Sequence, residues 1–361
     1  MNDRARLYAA VAGTVLLFLL VQLGALALVE PFVQNDYQAV EDPSDPTNGL
    51  MFFAVILAAT GGMLLIIKYD SEWLIRAMII GTSGMLAWYV VAAIAPVGVV
   101  SIGGGSVALL PILTAVAVSG GLLVHPEWYV IDTAGVLMGA GAAGMFGISF
   151  GILPAILFLL VLAVYDAISV YGTEHMLTLA EGVMDLNVPV LFVIPTSLSY
   201  SFRDLGAGQE MTDDVSDEAA DGGMASETIE SDDTTEDEVA DGDTADEKAA
   251  AGPAEDEGVR DALYIGLGDA VMPTILVASA AAFLPVDAVP QLSVPVVTLN
   301  LPALTAMLGT LTGLLILLRM VLKGRAHAGL PLLNGGAILG YLVGALASGV
   351  TFAQAVGIAS F

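Results

Sequence analysis

The sequence GILPAILFLLVLAVYDAISVYG, residues 151–172, contains a single charged side chain, Asp166. A run of about 20 apolar residues is long enough to cross the hydrocarbon core of a bilayer as a helix. Residues 263–284, LYIGLGDAVMPTILVASAAAFL, repeat this pattern around Asp269. Because a carboxylate in a lipid-spanning helix is costly unless protein or water surrounds it, both aspartates are predicted to be functional.

The composition of the whole chain indicates a membrane protein. Hydrophobic residues make up 57% of the 361 residues, the mean hydropathy is +0.83, and charged residues account for only 13%. Soluble globular domains carry roughly twice that charged fraction. The chain has no cysteine, which excludes disulfides, thiolate catalysis and cysteine-ligated metals.

Hydropathy over a window of about 20 residues predicts an all-α polytopic membrane protein with nine transmembrane helices. The predicted spans are residues 7–29, 49–68, 74–95, 104–124, 129–147, 151–172, 263–284, 300–322 and 329–350. The chain is thereby divided into residues 1–186 (helices 1–6 and a cytoplasmic extension of helix 6), 187–202, 203–260 and 261–361 (helices 7–9). Residues 187–202, NVPVLFVIPTSLSYSF, are apolar but short and contain two prolines, so they are predicted to be an interfacial or re-entrant segment.

Residues 203–260 form a strongly acidic segment between helices 6 and 7. They hold 21 acidic side chains against three basic ones. A segment with so few aromatic and large aliphatic residues cannot bury enough apolar surface to offset chain entropy, so it is predicted to be a disordered cytoplasmic loop. A solvated spacer is favoured over a docking tail, because the acid-rich, lysine-poor usage of the whole chain resembles that of haloarchaeal proteins.

All ten basic residues fall on one side of the nine predicted spans. These residues are Arg4, Arg6, Lys68, Arg76, Arg203, Lys248, Arg260, Arg319, Lys323 and Arg325. The positive-inside rule therefore predicts a cytoplasmic N-terminus and an extracytoplasmic C-terminus in a multi-pass protein of the cell membrane. The apolar run at 7–29 is expected to be a retained helix rather than a cleaved signal peptide, because it exceeds the usual length of a signal core.

This topology places the two aspartates at the same depth. Asp166 lies six residues before the cytoplasmic end of helix 6, and Asp269 lies six residues after the cytoplasmic start of helix 7, so both are roughly 9 Å below the inner surface at 1.5 Å per residue. Two facing carboxylates cannot both ionise cheaply and share a proton. Such a pair can activate water and polarise a peptide carbonyl, as aspartic proteases do, without a metal or another cofactor.

Three short motifs connect these aspartates to a known family. Tyr165-Asp166 occurs in helix 6, Gly266-Leu267-Gly268-Asp269 in helix 7, and Ala328-Gly329-Leu330-Pro331 at the start of helix 9. The chain thus resembles the presenilin and signal peptide peptidase family of GxGD intramembrane aspartyl proteases, whose pattern is YD, GxGD and PAL in these three helices. The third motif is altered here, since only its leucine and the following proline are kept.

The resemblance implies intramembrane proteolysis and a role for each matching residue. Asp166 and Asp269 would be catalytic, Tyr165, Gly266, Leu267 and Gly268 would support the active site, and Gly329, Leu330 and Pro331 would position the substrate. Leu301-Pro302-Ala303-Leu304 spells the PAL motif literally. It is assigned no role, because it is predicted to lie at the extracytoplasmic start of helix 8, about a membrane thickness from the aspartates.

The resemblance also implies substrates that are transmembrane proteins or peptides in the lipid bilayer, not nucleic acids. By analogy with presenilin, the preferred substrate helix has its N-terminus outside. A helical amide is hydrogen-bonded within its own segment, so the substrate must partly unwind before hydrolysis. The apolar residues 189–194 could pair with the unwound strand by β-addition, or they could simply anchor the loop at the interface. Substrate identity, accessory subunits and oligomeric state are not fixed by the sequence.

A transporter is the alternative function for the same residues. A transporter could use Asp166 and Asp269 to bind a proton or a cation along a pathway. Gly81-Thr82-Ser83-Gly84 resembles the rhomboid serine motif, but no histidine is predicted at a similar depth, and no HExxH zinc motif is present. Asp132, near the start of helix 5, is interpreted as a boundary or capping residue rather than a substrate contact.

Overall fold

The structure is a computed structural model that describes residues 3–69, 72–95, 99–102, 105–172, 191–195, 262–294, 297–322 and 328–359. The acidic loop at 203–260 lies outside these residues. The predicted extension of helix 6 beyond residue 172 and most of the predicted interfacial segment at 187–202 do as well. The structural statements below refer to the described residues.

The chain is mostly helical, as the hydropathy pattern predicts. The helices in the described ranges are α1 (Asp3–Gln34), α2 (Thr47–Lys68), α3 (Glu72–Ile94), α4 (Leu109–Val124), α5 (Trp128–Ser149), α6 (Ile152–Gly172), α7 (Leu267–Phe283), α8 (Leu301–Val321), α9 (Gly329–Ala347) and α10 (Phe352–Ala355). Seven of them are long and apolar enough to cross a membrane, and α4 and α7 are shorter apolar helices. The count of nine crossings and the orientation of the termini stay predictions.

Three short hairpins correct the all-α prediction. The strands are β1 (Val99–Ile102), β2 (Gly105–Ala108), β3 (Leu191–Pro195), β4 (Ala262–Gly266), β5 (Gln291–Val294) and β6 (Val297–Asn300). They pair as β1 with β2, β3 with β4 and β5 with β6, all antiparallel. A 20-residue hydropathy window merges such four- or five-residue apolar strands with the helices that follow them and therefore does not predict them.

The hairpin of β3 and β4 changes the start of the seventh helix. Residues 263–284 were predicted to be one helix, but Ala262–Gly266 is a strand and α7 begins at Leu267. Similarly, the predicted span 104–124 begins with β2, and α4 starts at Leu109. Residues 191–195 of the predicted interfacial segment form β3, which pairs with β4.

Helix α7 is the most enclosed helix of the bundle. It contacts α1, α5, α6, α8 and α9. Its sequence explains this position, because residues 278–282 are ASAAA, and small side chains allow neighbouring helices to approach closely. Helices α8 and α9 form the closest helix pair, with Gly309 against Gly336. Most residues of α7 from Ala270 onward are consequently buried.

Candidate active site

Asp166, on the membrane-spanning helix α6, is buried within the protein. Its side chain is only 7% exposed. The Oδ2 atom accepts a hydrogen bond of 3.0 Å from the backbone N–H of Leu330, at the start of α9. A buried carboxylate is stabilised when a backbone donor points at it. The protein therefore surrounds this acid and provides it with a donor.

The partner of Asp166 is the backbone at the N-terminus of a helix. Helix α9 begins at Gly329 after Ala328, and no side chain of its own caps it. The first N–H groups of a helix have no partner within the helix, and its N-terminus carries a partial positive charge. Asp166 therefore does for α9 what an N-cap side chain usually does, from a different helix.

Asp269 lies in the first turn of α7, three residues after Gly266, which precedes the helix. A Cβ atom built on Gly329 would lie 3.6 Å from both of its carboxylate oxygens. A Cβ atom built on Gly266 would lie 3.4 Å from Oδ2. Both acids thus converge on two consecutive residues of α9, Gly329 and Leu330.

A proline one turn further along α7 modifies the backbone at Asp269. Pro273 lies inside the helix. Proline has no N–H, so it cannot donate to the carbonyl four residues earlier, and its ring crowds that carbonyl. The carbonyl in question is that of Asp269. The carbonyl oxygen of Asp269 therefore lacks the usual helical hydrogen bond from the residue four positions later.

The comparisons with known proteins show the family of this chain. Residues 15–350 match the family described as signal-peptide peptidase, presenilin aspartyl protease. The chain belongs to this family. Two solved structures of a presenilin family intramembrane aspartate protease, in space groups C222 and P2, are each 33% identical in sequence. Each alignment covers 93% of this chain, and the solved chains are covered to 99% and 97% with TM-scores of 0.58 and 0.56.

Among curated proteins, no match was found. Family membership and the two solved structures make the chain an intramembrane aspartic endopeptidase with several membrane-spanning helices. They do not support the transporter alternative.

The structure places the predicted support residues of the protease in different surroundings. Tyr165 is 41% exposed and packs edge-on against Phe53 of α2, with 5.8 Å between ring centroids. Leu267 packs near Gly139 of α5. A Cβ atom on Gly268 would meet nothing within 4 Å. Tyr165 and Leu267 therefore pack against neighbouring helices, whereas the space beside Gly268 is open.

The literal PAL sequence lies away from the two acids. Pro302 is in the first turn of α8, and a Cβ atom on Gly344 of α9 would lie 2.8 Å from its Cα. Gly344 is 15 residues after Gly329, which corresponds to roughly 22 Å along a helix. The altered motif at 329–331 is the one beside Asp166 and Asp269, at the opposite end of α9.

Two polar residues near the site have contacts that the sequence reading missed. Asn334 is one turn beyond Leu330, is fully buried, and donates from Nδ2 to the carbonyl oxygen of Leu159 on α6 at 3.0 Å. Helices α6 and α9 are therefore joined at two successive levels. A single asparagine within the apolar run LPLLNGGAIL was the available signal.

Asp132 is the second such residue. It is 9% exposed on α5, and its Oδ1 accepts a hydrogen bond of 2.8 Å from the backbone N–H of Val193 in β3. Helix α5 begins at Trp128 after Glu127, so Asp132 lies beyond the first turn and does not cap the helix. The interpretation of Asp132 as a capping residue is therefore wrong, and its position near the membrane boundary stays a prediction. The contact spans 61 residues of sequence, which local patterns cannot predict.

Proposed function

We propose that Asp166 and Asp269 are the catalytic dyad with which this protease hydrolyses peptide bonds inside transmembrane helices of its substrates. The observation that supports this most directly is their convergence on Gly329 and Leu330. The chain brings together, from α6, α7 and α9, two acids and the backbone of a helix N-terminus. Neither acid is held by a neighbouring lysine or arginine in the described residues, so neither is explained as half of an ion pair.

In this mechanism one carboxyl group of the dyad is protonated and the other is a carboxylate. The carboxylate takes a proton from a water molecule, and the resulting hydroxide attacks the carbon of the scissile carbonyl. The protonated carboxyl group donates its hydrogen to the carbonyl oxygen. The leaving nitrogen is then protonated by the dyad as the carbon–nitrogen bond breaks. The pair titrates as a unit, so Asp166 and Asp269 are not assigned separate roles.

The ends of two helices stabilise the single negative charge of this dyad. Asp269 is in the first turn of α7, and Asp166 accepts a hydrogen bond from the first turn of α9. Helix N-termini favour nearby negative charge, by about 0.3 to 1 kcal/mol at exposed sites and more when partly buried. This stabilisation allows one carboxylate to remain ionised within an apolar bundle, while repulsion between the two acids opposes ionisation of the second.

The substrate is a transmembrane protein or peptide in the lipid bilayer, and its helix has to unwind at the scissile bond. The open space beside Gly268 gives an extended backbone room next to Asp269. The hairpin of β3 and β4 leads directly into this turn, so a substrate strand that adds to the hairpin would be aligned with the dyad. Gly329, Leu330 and Pro331 position this strand from the side of α9.

The proposed topology keeps nine membrane crossings with a cytoplasmic N-terminus, in the cell membrane. It places the dyad near the cytoplasmic face. The acidic segment at 203–260 then forms a cytoplasmic loop between α6 and α7. An archaeal, high-salt origin of the protein is predicted from the residue usage of the whole chain.

The test uses purified full-length protein in detergent with a synthetic transmembrane peptide. We expect cleavage that a transition-state isostere inhibits, and loss of all cleavage in Asp166→Asn and in Asp269→Asn. Asp287→Asn is the matched control, because it removes an exposed carboxyl group between α7 and β5 and should leave cleavage unchanged. Cleavage by folded Asp269→Asn at the wild-type rate would refute the proposed dyad.

A further inference from the structure

The carboxylate of Asp132 occupies the outer edge of β3. In an antiparallel pair, every second residue directs its N–H away from the partner strand. Val193 is such a residue, since its N–H donates to Asp132 at 2.8 Å. Pro195 is two residues further along β3 and has no N–H. Asp132 therefore accepts the outward N–H of Val193, and Pro195 provides no N–H at the next outward position of β3.

The two residues that flank Val193 in β3 pack against neighbouring helices. Phe192 is 1% exposed, and a Cβ atom on Gly135 would lie 2.9 Å from its Cε1. Ile194 is 6% exposed, and a Cβ atom on Gly13 of α1 would lie 3.2 Å from its Cγ2. The side chains of β3 thus fill the space that glycines leave on α5 and α1. The hydrogen bond from Val193 to Asp132 adds a direction-dependent contact to this apolar packing.

The position of β3 is transmitted to the dyad through β4. Val193 is paired with Tyr264, and Leu191 with Gly266. Gly266 immediately precedes α7, and Asp269 is three residues later. Since β4 continues directly into α7, a displaced β3 moves β4 and the edge that a substrate strand would join beside Asp269.

We propose that Asp132 is a positioning residue of the protease, whose hydrogen bond to β3 holds the β3–β4 hairpin in place beside Asp269 and so selects the peptide bond that is cut. This inference rests on the proposed dyad and on addition of the substrate strand to the hairpin. Asp132 does not contact the reacting atoms. Its role is to hold the hairpin to which the substrate strand adds.

The decisive experiment compares Asp132→Leu with Asp132→Asn in purified full-length protein. Leucine has a similar shape and no acceptor, whereas asparagine retains a carbonyl oxygen at the position of Oδ1. We measure kcat, KM and the masses of all products from the synthetic transmembrane peptide. For Asp132→Leu we expect cleavage to spread to neighbouring peptide bonds, with kcat about tenfold to a hundredfold lower and KM little changed. For Asp132→Asn we expect the wild-type products.

Two controls separate positioning from a general loss of stability. Ser279→Ala removes another buried hydrogen bond, from Oγ to the carbonyl oxygen of Phe150 at 2.7 Å, and should lower stability without altering the products. Gly135→Ala adds a methyl group on α5 that displaces Phe192 of β3 while Asp132 is intact, and it should alter the products. Its matched control is Gly120→Ala, where a Cβ atom meets nothing within 4 Å. If Asp132→Leu does not fold, the comparison of Gly135→Ala with Gly120→Ala decides.

Wild-type products and kcat in folded Asp132→Leu would overturn the inference, as would an equal change of products in Asp132→Asn and Asp132→Leu. Products of Gly135→Ala identical to those of Gly120→Ala would count against it as well. None of these results bears on the dyad, which fails only if Asp166→Asn or Asp269→Asn still cleaves. The two proposals can therefore fail separately.

Discussion

Gly336 of α9 lies against Gly309 of α8, and replacing it with alanine tests how closely the active site depends on this helix contact. A Cβ atom on Gly336 would lie 2.3 Å from the carbonyl oxygen of Gly309. Real Cβ atoms essentially never approach closer than 3.0 Å, so the two backbones have to separate by at least about 0.7 Å. A backbone carbonyl cannot rotate away as a flexible side chain would.

The size of the effect follows from this displacement. Overpacking typically costs about 1 to 3 kcal/mol, whereas alanine in place of glycine within a helix gains roughly 0.5 to 1 kcal/mol. We therefore expect Gly336→Ala to lower the free energy of unfolding by about 1 to 2 kcal/mol. Gly336 is six residues from Leu330, whose N–H contacts Asp166. A misplacement approaching 1 Å at a site can reduce activity by about a hundredfold.

The assay compares Gly336→Ala with Gly335→Ala on the same helix. A Cβ atom on Gly335 would meet nothing within 4 Å, so this variant changes helix propensity but not packing. Cleavage of the transmembrane peptide and thermal unfolding in detergent are measured for both. We expect Gly335→Ala to retain wild-type cleavage with equal or higher stability. Wild-type cleavage and stability in Gly336→Ala would refute the reasoning.

Two further predictions concern hydrogen bonds at other positions. Asn334→Ala removes the hydrogen bond that joins α9 to the carbonyl oxygen of Leu159 and should destabilise the protein by about 0.5 to 1.5 kcal/mol, measured by thermal unfolding; an unchanged unfolding temperature would contradict this. The pKa of Asp45 is lowered because the backbone N–H and the hydroxyl of Thr47 donate to its carboxylate. The resulting stabilisation of the start of α2 is present above the ordinary carboxyl pKa and lost as the pH falls through the lowered value. In an NMR titration, Thr47→Val should move the midpoint of Asp45 part of the way back, and an unmoved midpoint would contradict the assigned cause.

The residues proposed for the site could be selected from the sequence because their chemistry is unusual where they occur. An ionisable group in an apolar run is expensive, so Asp166 and Asp269 stand out without any structure. Depth could be estimated as well, since the rise per residue of a helix is fixed. The same reasoning separated the altered motif at 329–331 from the literal one at 301–304, which lies on α8 beside the other end of α9.

The hairpins could not be predicted in the same way. Residues 262–266 are as apolar as the helix that follows, so hydropathy assigns both to one span. Whether such a short run becomes a strand depends on a partner, and the partner of β4 is β3, which is distant in sequence. Strand pairing is a contact between segments, whereas a helix makes its hydrogen bonds within itself.

The sequence by itself determined the class of protein, the helices and the identity of the two acids, because hydropathy and the cost of a buried charge are properties of single segments. Only the tertiary structure decided what each acid contacts. The N–H of Leu330 bonds to Asp166, and that of Val193 bonds to Asp132, across 164 and 61 residues. These bonds depend on where helices pack against one another, and no local pattern encodes that position.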